Sequence, residues 1–500
     1  MQKHISVLCL MALLLSTGGL SACGLSACGK TTVEDTTPVT DTTPQKETDT
    51  ANTLTAQLQS IYADTGYGGY EYRIMGIQPG AHFYHKISAE ANEIWYAEQT
   101  GDSYSDAVYT RNLLTEELLD VTITPIWQAD RDAVGSQIQQ AAQAGDDIAD
   151  MALTSLAVHM TQATAGYLYN LHSLSAVQLW GSWYDQDIVK NYSYKGNKLY
   201  CVTGAYNVFD DYGVPVIFYG KEILTKNGLE DPATLVPEGK WTLDVMMEMA
   251  ETVTADTNGD GAMDAADTWG YLDNTDYYPH LLEGAGQPRT LVGDDGVPML
   301  NVTSEAYINV GEKVYDLVVE SNARFIELNA TCRDIMKENR GLFYYELLGA
   351  INEFRDMESD FSLLPMPKAD ESNPRYTSAI NPIWATAMAI PVTVSDTERA
   401  GTVLDVLSAF SVETVDTTLN ELLLGSKLVR DQGTLEMLSY VLDSKVYDWA
   451  NGFSWASKIQ SALNSQAKSN SFILASSMQS AAPAAQTALD EFLASLDVLP

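Results

Sequence analysis

Apolar residues at Ala107, Val108, Leu113, Leu114 and Leu118, with Arg111 and Glu116 off the stripe, predict a helix over Ser105 to Leu118. The same spacing recurs at Leu243, Met246, Met247, Ala250 and Val253 behind the N-cap residue Thr242, and at Ala400, Val403, Leu404, Leu407 and Phe410 within Thr397 to Ser411. Asp132 is placed to cap a helix carrying Val134, Ile138 and Ala141, which Gly145 closes. Further helices are predicted over Ala89 to Tyr96, over Tyr307 to Val319 and over most of the chain after Ser411. Strands are predicted over Tyr70 to Gly76, Val121 to Trp127, Ile148 to Leu153 and Gly341 to Leu347. Leu199, Cys201 and Thr203 alternate with Lys198, Tyr200 and Val202, which predicts a strand over Lys198 to Thr203. Val214 to Tyr219 is apolar on both faces and reads as a strand buried on both.

Strands alternating with helices make an α/β fold with a mostly parallel sheet flanked by helices. In such sheets ligands sit beyond the carboxyl ends of the strands. That rule points to the loop after Gly76, to Trp127 and to Thr154-Ser155. Between Leu171 and Tyr194 lie Trp180, Trp183, Tyr184, Tyr192 and Tyr194. These rings either wall a pocket or plug a lobe, and the sequence leaves both open.

Three stretches carry a family likeness. They are Lys195 to Leu224, Gly239-Lys240-Trp241-Thr242, and Leu363-Leu364-Pro365-Met366-Pro367-Lys368. In order and spacing they resemble the crossover, the helix entry and the "LP-x-PK" turn of extracellular solute-binding proteins of the maltose-binding type (family 1). The resemblance implies a type II periplasmic-binding-protein-like fold of two lobes with a three-strand hinge. It implies lobe one from 54–203 plus 346–378 and lobe two from 204–345 plus 379–500. Gly341 to Leu347 is then a strand returning to lobe one, and Tyr376 to Pro391 is the third crossing, with Trp384 in its middle. The implied activity is binding rather than catalysis: a monomer that closes on a small solute and passes it to an ABC permease.

The chain ends modify this picture. Met1 to Ala22 has a short apolar run, Ile5 to Leu15, too short to span a membrane. Leu20-Ser21-Ala22-Cys23 follows and resembles a lipobox, so Cys23 is the expected acylated N-terminus; Leu25-Ser26-Ala27-Cys28 repeats the motif. Residues 31–53 are nearly all Thr, Asp, Glu and Pro, cannot bury a core, and read as a disordered tether reaching roughly 70 Å when extended. The expected place is the outer face of the cell membrane.

A net charge of −39 over 500 residues argues against nucleic acid and against an anionic membrane as partners of the protein surface. Beyond the tether only Cys201 and Cys332 remain, so there is no disulfide framework, although one bridge between them is open. The sequence has no Gly-rich phosphate loop, no Gly-x-Ser-x-Gly and no His-Glu-x-x-His. The pair His82 and His85 reads as part of a solvated loop.

With 27 Tyr and 9 Trp, the chain can line a cleft with flat amphipathic rings, which suits a mono- or oligosaccharide. Candidate contacts at strand ends and crossings are Trp127, Ser155, Tyr206, Asp210, Asp211, Tyr345 and Trp384. Competing readings are a surface glycoside hydrolase with two carboxylates across a cleft and a calcium-stiffened adhesion module.

Residues 256–267 match the twelve-residue EF-hand loop. Asp256, Asn258, Asp260, the carbonyl of Ala262, Asp264 and Asp267 stand at ligand positions 1, 3, 5, 7, 9 and 12, with Gly261 at the sharp turn. A structural calcium ion is expected there, with Asp rather than Glu at the last position.

Overall fold

The computed structural model describes residues 53–81, 92–274, 277–354, 356–419 and 432–499, and among them builds two large sheets and two two-stranded ones. Cys23, Cys28, the tether up to residue 52 and the His82/His85 pair lie outside the described residues. Thr53 caps the first helix, Leu54–Ile61, by accepting the Ala56 amide.

Lobe one is a four-stranded sheet. Tyr70–Ile77 runs parallel to Val121–Gln128 on one side and to Met151–Ser155 on the other. Thr386–Ala389 joins antiparallel beside Met151–Ser155. Helices Ser103–Leu119 and Arg131–Ala144 make the connections, each opened by an aspartate: Asp102 accepts the Ser105 amide and Asp130 the Ala133 amide. Helix Thr397–Ser411 packs on Ser103–Leu119, and Tyr72 donates its hydroxyl to the Ala400 carbonyl at 3.0 Å.

Lobe two has five strands in the order Phe361–Leu364, Pro215–Gly220, Gly341–Leu347, Trp269–Asp273, Arg324–Ile326. Only Pro215–Gly220 runs against its neighbours. All six of its residues are buried, as its unbroken apolar run requires. Helix Leu243–Val253 lies against Trp269–Asp273 so closely that a Cβ on Gly270 would stand 2.0 Å from the Ala250 carbonyl oxygen. Only glycine permits that approach. Helices Ser457–Ala467 and Leu474–Val498 pack on each other and on Tyr277–Gly284 and Glu305–Val314 of lobe two; the last helix also reaches Leu156–Thr164 of lobe one.

Several expectations need correction. The return segments are exchanged: Phe361–Leu364 belongs to lobe two rather than lobe one, and Thr386–Ala389 to lobe one rather than lobe two. Gly341–Leu347 does not return to lobe one but is the middle strand of lobe two. An apolar strand fits either sheet, and only pairing partners decide between them. Lys198 to Thr203 forms no strand; two isolated bridges, Lys198 to Tyr194 and Val202 to Met388, hold it. Residues 92–96 are not helical. Asp130, not Asp132, caps its helix. Cys201 and Cys332 are buried free thiols, so no bridge joins them. Two crossings, through residues 204–214 and 365–385, are described. The chain then passes from Thr397–Ser411, packed on lobe one, to Gln432–Asp443, packed on Phe361–Leu364, and residues 420–431 of this third passage lie outside the described residues.

Candidate functional site

The parallel strands of lobe one end side by side at Ile77, Gln128 and Ser155; those of lobe two end at Asp273, Ile326 and Leu347. A chain of backbone hydrogen bonds joins the two edges through the crossings. Leu156, just past its strand, donates to the Ala385 carbonyl at 2.8 Å. Asn381 donates to Gly213 at 3.1 Å, and Leu348, just past its strand, donates to Val214 at 2.7 Å. Both sets of strand ends therefore open onto one hinge, the position where α/β sheets take ligands.

Ser155 is buried at this edge, and its Oγ has no hydrogen-bond partner. It lines a 290 Å³ groove together with Arg131, Gln139, Gln162 and Ile383. The Arg131 guanidinium lies 5.9 Å from the Trp384 ring centroid and donates to the Ile383 carbonyl. Arg131 thus relates the Ser155 groove to Trp384. Trp127 is half-buried one residue before its strand end. Tyr345 is buried and stacks on His280, with centroids 5.8 Å apart.

Three candidates serve other purposes. Tyr206 is fully buried under the Arg111 guanidinium, 4.0 Å from its ring centroid, and packs in the core. Asp210, buried, and Asp211, half-buried, belong to a cluster on the first crossing, where Lys445 lies 2.7 Å from Asp211, 3.1 Å from Asp185 and 3.5 Å from Asp210. Burial raises the Asp210 pKa well above the usual carboxylate range against the pull of Lys445, with Asp211 and Asp185 adding to the rise. Burial opposes the charge on Lys445, but the three aspartates outweigh it and hold the ammonium protonated.

Two buried carboxylates near the strand ends were missed. Asp273 ends its strand fully buried, and neither carboxylate oxygen has a hydrogen-bond partner; the Arg324 Nε is 3.7 Å away. Burial drives its pKa well up against Arg324. The strand-end rule, applied to Trp269–Asp273, would have found it. Glu93 is buried and accepts the amides of Val208 at 2.5 Å and Phe209 at 3.1 Å and the Thr386 hydroxyl at 3.0 Å. It thereby ties residues 92–96 to the first crossing and to strand Thr386–Ala389. Burial pushes its pKa from 4.5 to about 7, against those hydrogen bonds and the attraction of Arg111. No local pattern marks Glu93 in the sequence.

The loop of residues 256–267 is closed at its base by the Ala255–Thr268 bridge. Asp256 accepts the amides of Gly259 and Gly261, Asp260 that of Ala262, and Asp267 those of Thr257 and Asp264. Asn258 accepts the Asp260 amide and Asp264 that of Ala266. Gly261 adopts φ +83°, as the turn position demands. The donor set for a hard cation is present. Among the described residues, however, no group of three or more His, Cys, Asp or Glu side chains is gathered as a metal site.

Comparison with protein-family models and with curated proteins gives no match. Solved structures do match. One is the cyclic alpha-maltosyl-1,6-maltose binding protein from Arthrobacter globiformis, at 13% identity over 85% of this chain and 100% of that one, with a TM-score of 0.56. Another is UgpB from Mycobacterium tuberculosis in complex with glycerophosphocholine, at 15% identity over 85% and 99%, with a TM-score of 0.54. A third is a cyclo/maltodextrin-binding protein complexed with maltotetraose, at 12% identity over 85% and 96%, with a TM-score of 0.52. The chain has the two-lobed α/β fold of type II solute-binding proteins. Within that class its architecture is similar to that of the maltose-binding type.

Proposed function

We propose that the protein is a lipid-anchored extracellular receptor that captures a small solute, a mono- or oligosaccharide, between its lobes and delivers it to an ABC permease. The observation that carries this reading is the hydrogen-bonded path from Leu156 through Ala385, Asn381, Gly213 and Val214 to Leu348. A solute held at that edge touches both lobes, so it binds the closed arrangement better than the open one and shifts the population toward closure. Ser155, Trp127, Trp384 and Asp273 are the proposed contacts. The fold likeness supports a binding role over the hydrolase and adhesion readings, and two of the similar structures are named for maltose-derived sugars.

Anchoring through an acylated Cys23 and the tether that follows are part of the proposal, as is a structural calcium ion in loop 256–267. No helix among the described residues is long and apolar enough to cross a membrane. The deciding experiment is a thermal-shift screen of the mature protein against sugars, peptides and polyamines. A ligand of the native state raises the melting temperature. Sugars are expected to raise it; a shift by a peptide or polyamine alone overturns the sugar assignment.

A further inference from the structure

One cavity lies away from the strand ends. It measures 730 Å³ and shares no residue with Ile77, Gln128, Ser155, Asp273 or Leu347. One wall is lobe one, with Trp180 and residues 189–196. The other is the lobe-two hairpin that Thr290–Val292 forms with Pro298–Leu300, and Arg375 and Tyr447 line the cavity as well. We propose that this cavity is a second saccharide-binding site, built on the indole of Trp180 and separate from the strand-end cleft.

Trp180 is the first ground. Of the nine tryptophans, eight are buried or half-buried, while Trp180 is 71% exposed. Its neighbours in the aromatic loop are committed elsewhere: Tyr184, Tyr192 and Tyr194 are buried, and Trp183 donates its indole N–H to Asp405. Leu291, on the opposite wall, is 48% exposed. A flat indole and an aliphatic group lining a cavity with both apolar and polar walls suit a partner with an apolar face and a polar rim.

The lining charges are the second ground. They carry both signs, three positive and four negative, and three of the seven are held in ion pairs. Glu283 pairs with Arg289 at 2.7 Å, Lys195 with Asp497 at 2.5 Å and Arg375 with Asp187 at 3.7 Å. A cavity of such mixed sign does not select an ion. It offers separate donors and acceptors, with Lys190, Asp294 and Asp295 among its lining. A neutral hydroxyl-rich chain whose C–H face stacks on Trp180 meets both requirements, and the volume is that of an ordinary ligand site. The inference is independent of what occupies the cleft.

The test is calorimetric titration of the mature protein with maltohexaose, cellohexaose, xylohexaose and mannohexaose, each in turn. At least one binds wild type, and Trp180→Ala weakens that binding about tenfold or more. Trp180→Ala keeps the wild-type melting temperature because the ring is exposed, so loss of fold does not confuse the result. The proposal is overturned if none of the four binds or if Trp180→Ala binds as wild type does.

Discussion

The Lys445 ammonium lies 2.7 Å from the Asp211 carboxylate, although 234 residues separate the two in the chain. Asp211 stands on the first crossing, and Lys445 follows the helix that returns the chain to lobe two. With Asp185 from lobe one, the ion pair ties the first crossing and the end of the third passage to lobe one at one point. Removing only the ammonium leaves the buried Asp210 and the half-buried Asp211 without their cation. Lys445→Met is therefore expected to cost about 3–5 kcal/mol in chemical denaturation. A loss below about 1 kcal/mol would show that the cluster is solvated and contributes little.

Glu93 makes a pH prediction. Its pKa is 4.5 when exposed and about 7 in the fold. Between those values the native state binds more proton than the unfolded chain, so the Glu93 contribution to stability falls as pH rises from about 4.5 to about 7. The full difference is about 3 kcal/mol. Glu93→Gln keeps an acceptor for Val208 and Phe209 but cannot ionise. Denaturation at pH 5 and pH 8 is expected to show a steeper loss for wild type than for Glu93→Gln; equal losses would mean that the carboxyl does not titrate in this window.

Asp273 is expected to matter for binding more than for stability. Burial already favours its protonated form, and asparagine has the same shape. Asp273→Asn should fold within about 1 kcal/mol of wild type and should lose most of the thermal shift given by the cleft solute. A variant that keeps the whole shift removes Asp273 from the cleft contacts.

Loop 256–267 gives a metal-dependent prediction. In about 1 mM calcium, a site with the affinity of extracellular modules, about 0.1 mM, adds on the order of 1.4 kcal/mol. Wild type should melt higher in calcium than in excess chelator, and Asp260→Ala should abolish that difference while matching wild type in chelator. If wild type melts at one temperature in both conditions and calorimetry detects no calcium binding, the loop is a hydrogen-bonded turn alone.

How much of this was legible in the sequence depends on the range over which each feature is encoded. Helix Thr397–Ser411 has the ends its periodicity predicts. Thr242 caps as expected, accepting the Val245 amide, and Gly145 closes its helix in the left-handed region. Pro215–Gly220 is buried on both faces, as its composition requires. These features rest on neighbours within a few residues. Ser155 was marked by its place at a strand end, whereas Tyr206, chosen because it lies beside a crossing, sits in the core instead.

The sequence by itself determined the local elements, the α/β class and the turn geometry of loop 256–267, because side-chain period, capping groups and glycine positions act within one or two turns of chain. Only the tertiary structure decided which sheet each returning strand joins. Phe361–Leu364 and Thr386–Ala389 are both short and apolar, and backbone pairing with Pro215–Gly220 or Met151–Ser155 carries no local signature. It also decided that Lys445 meets Asp211, that Glu93 meets Val208, and that Trp180 alone of its aromatic loop faces open space. Burial and charge pairing are properties of groups brought together from distant parts of the chain, and no window of sequence contains both partners.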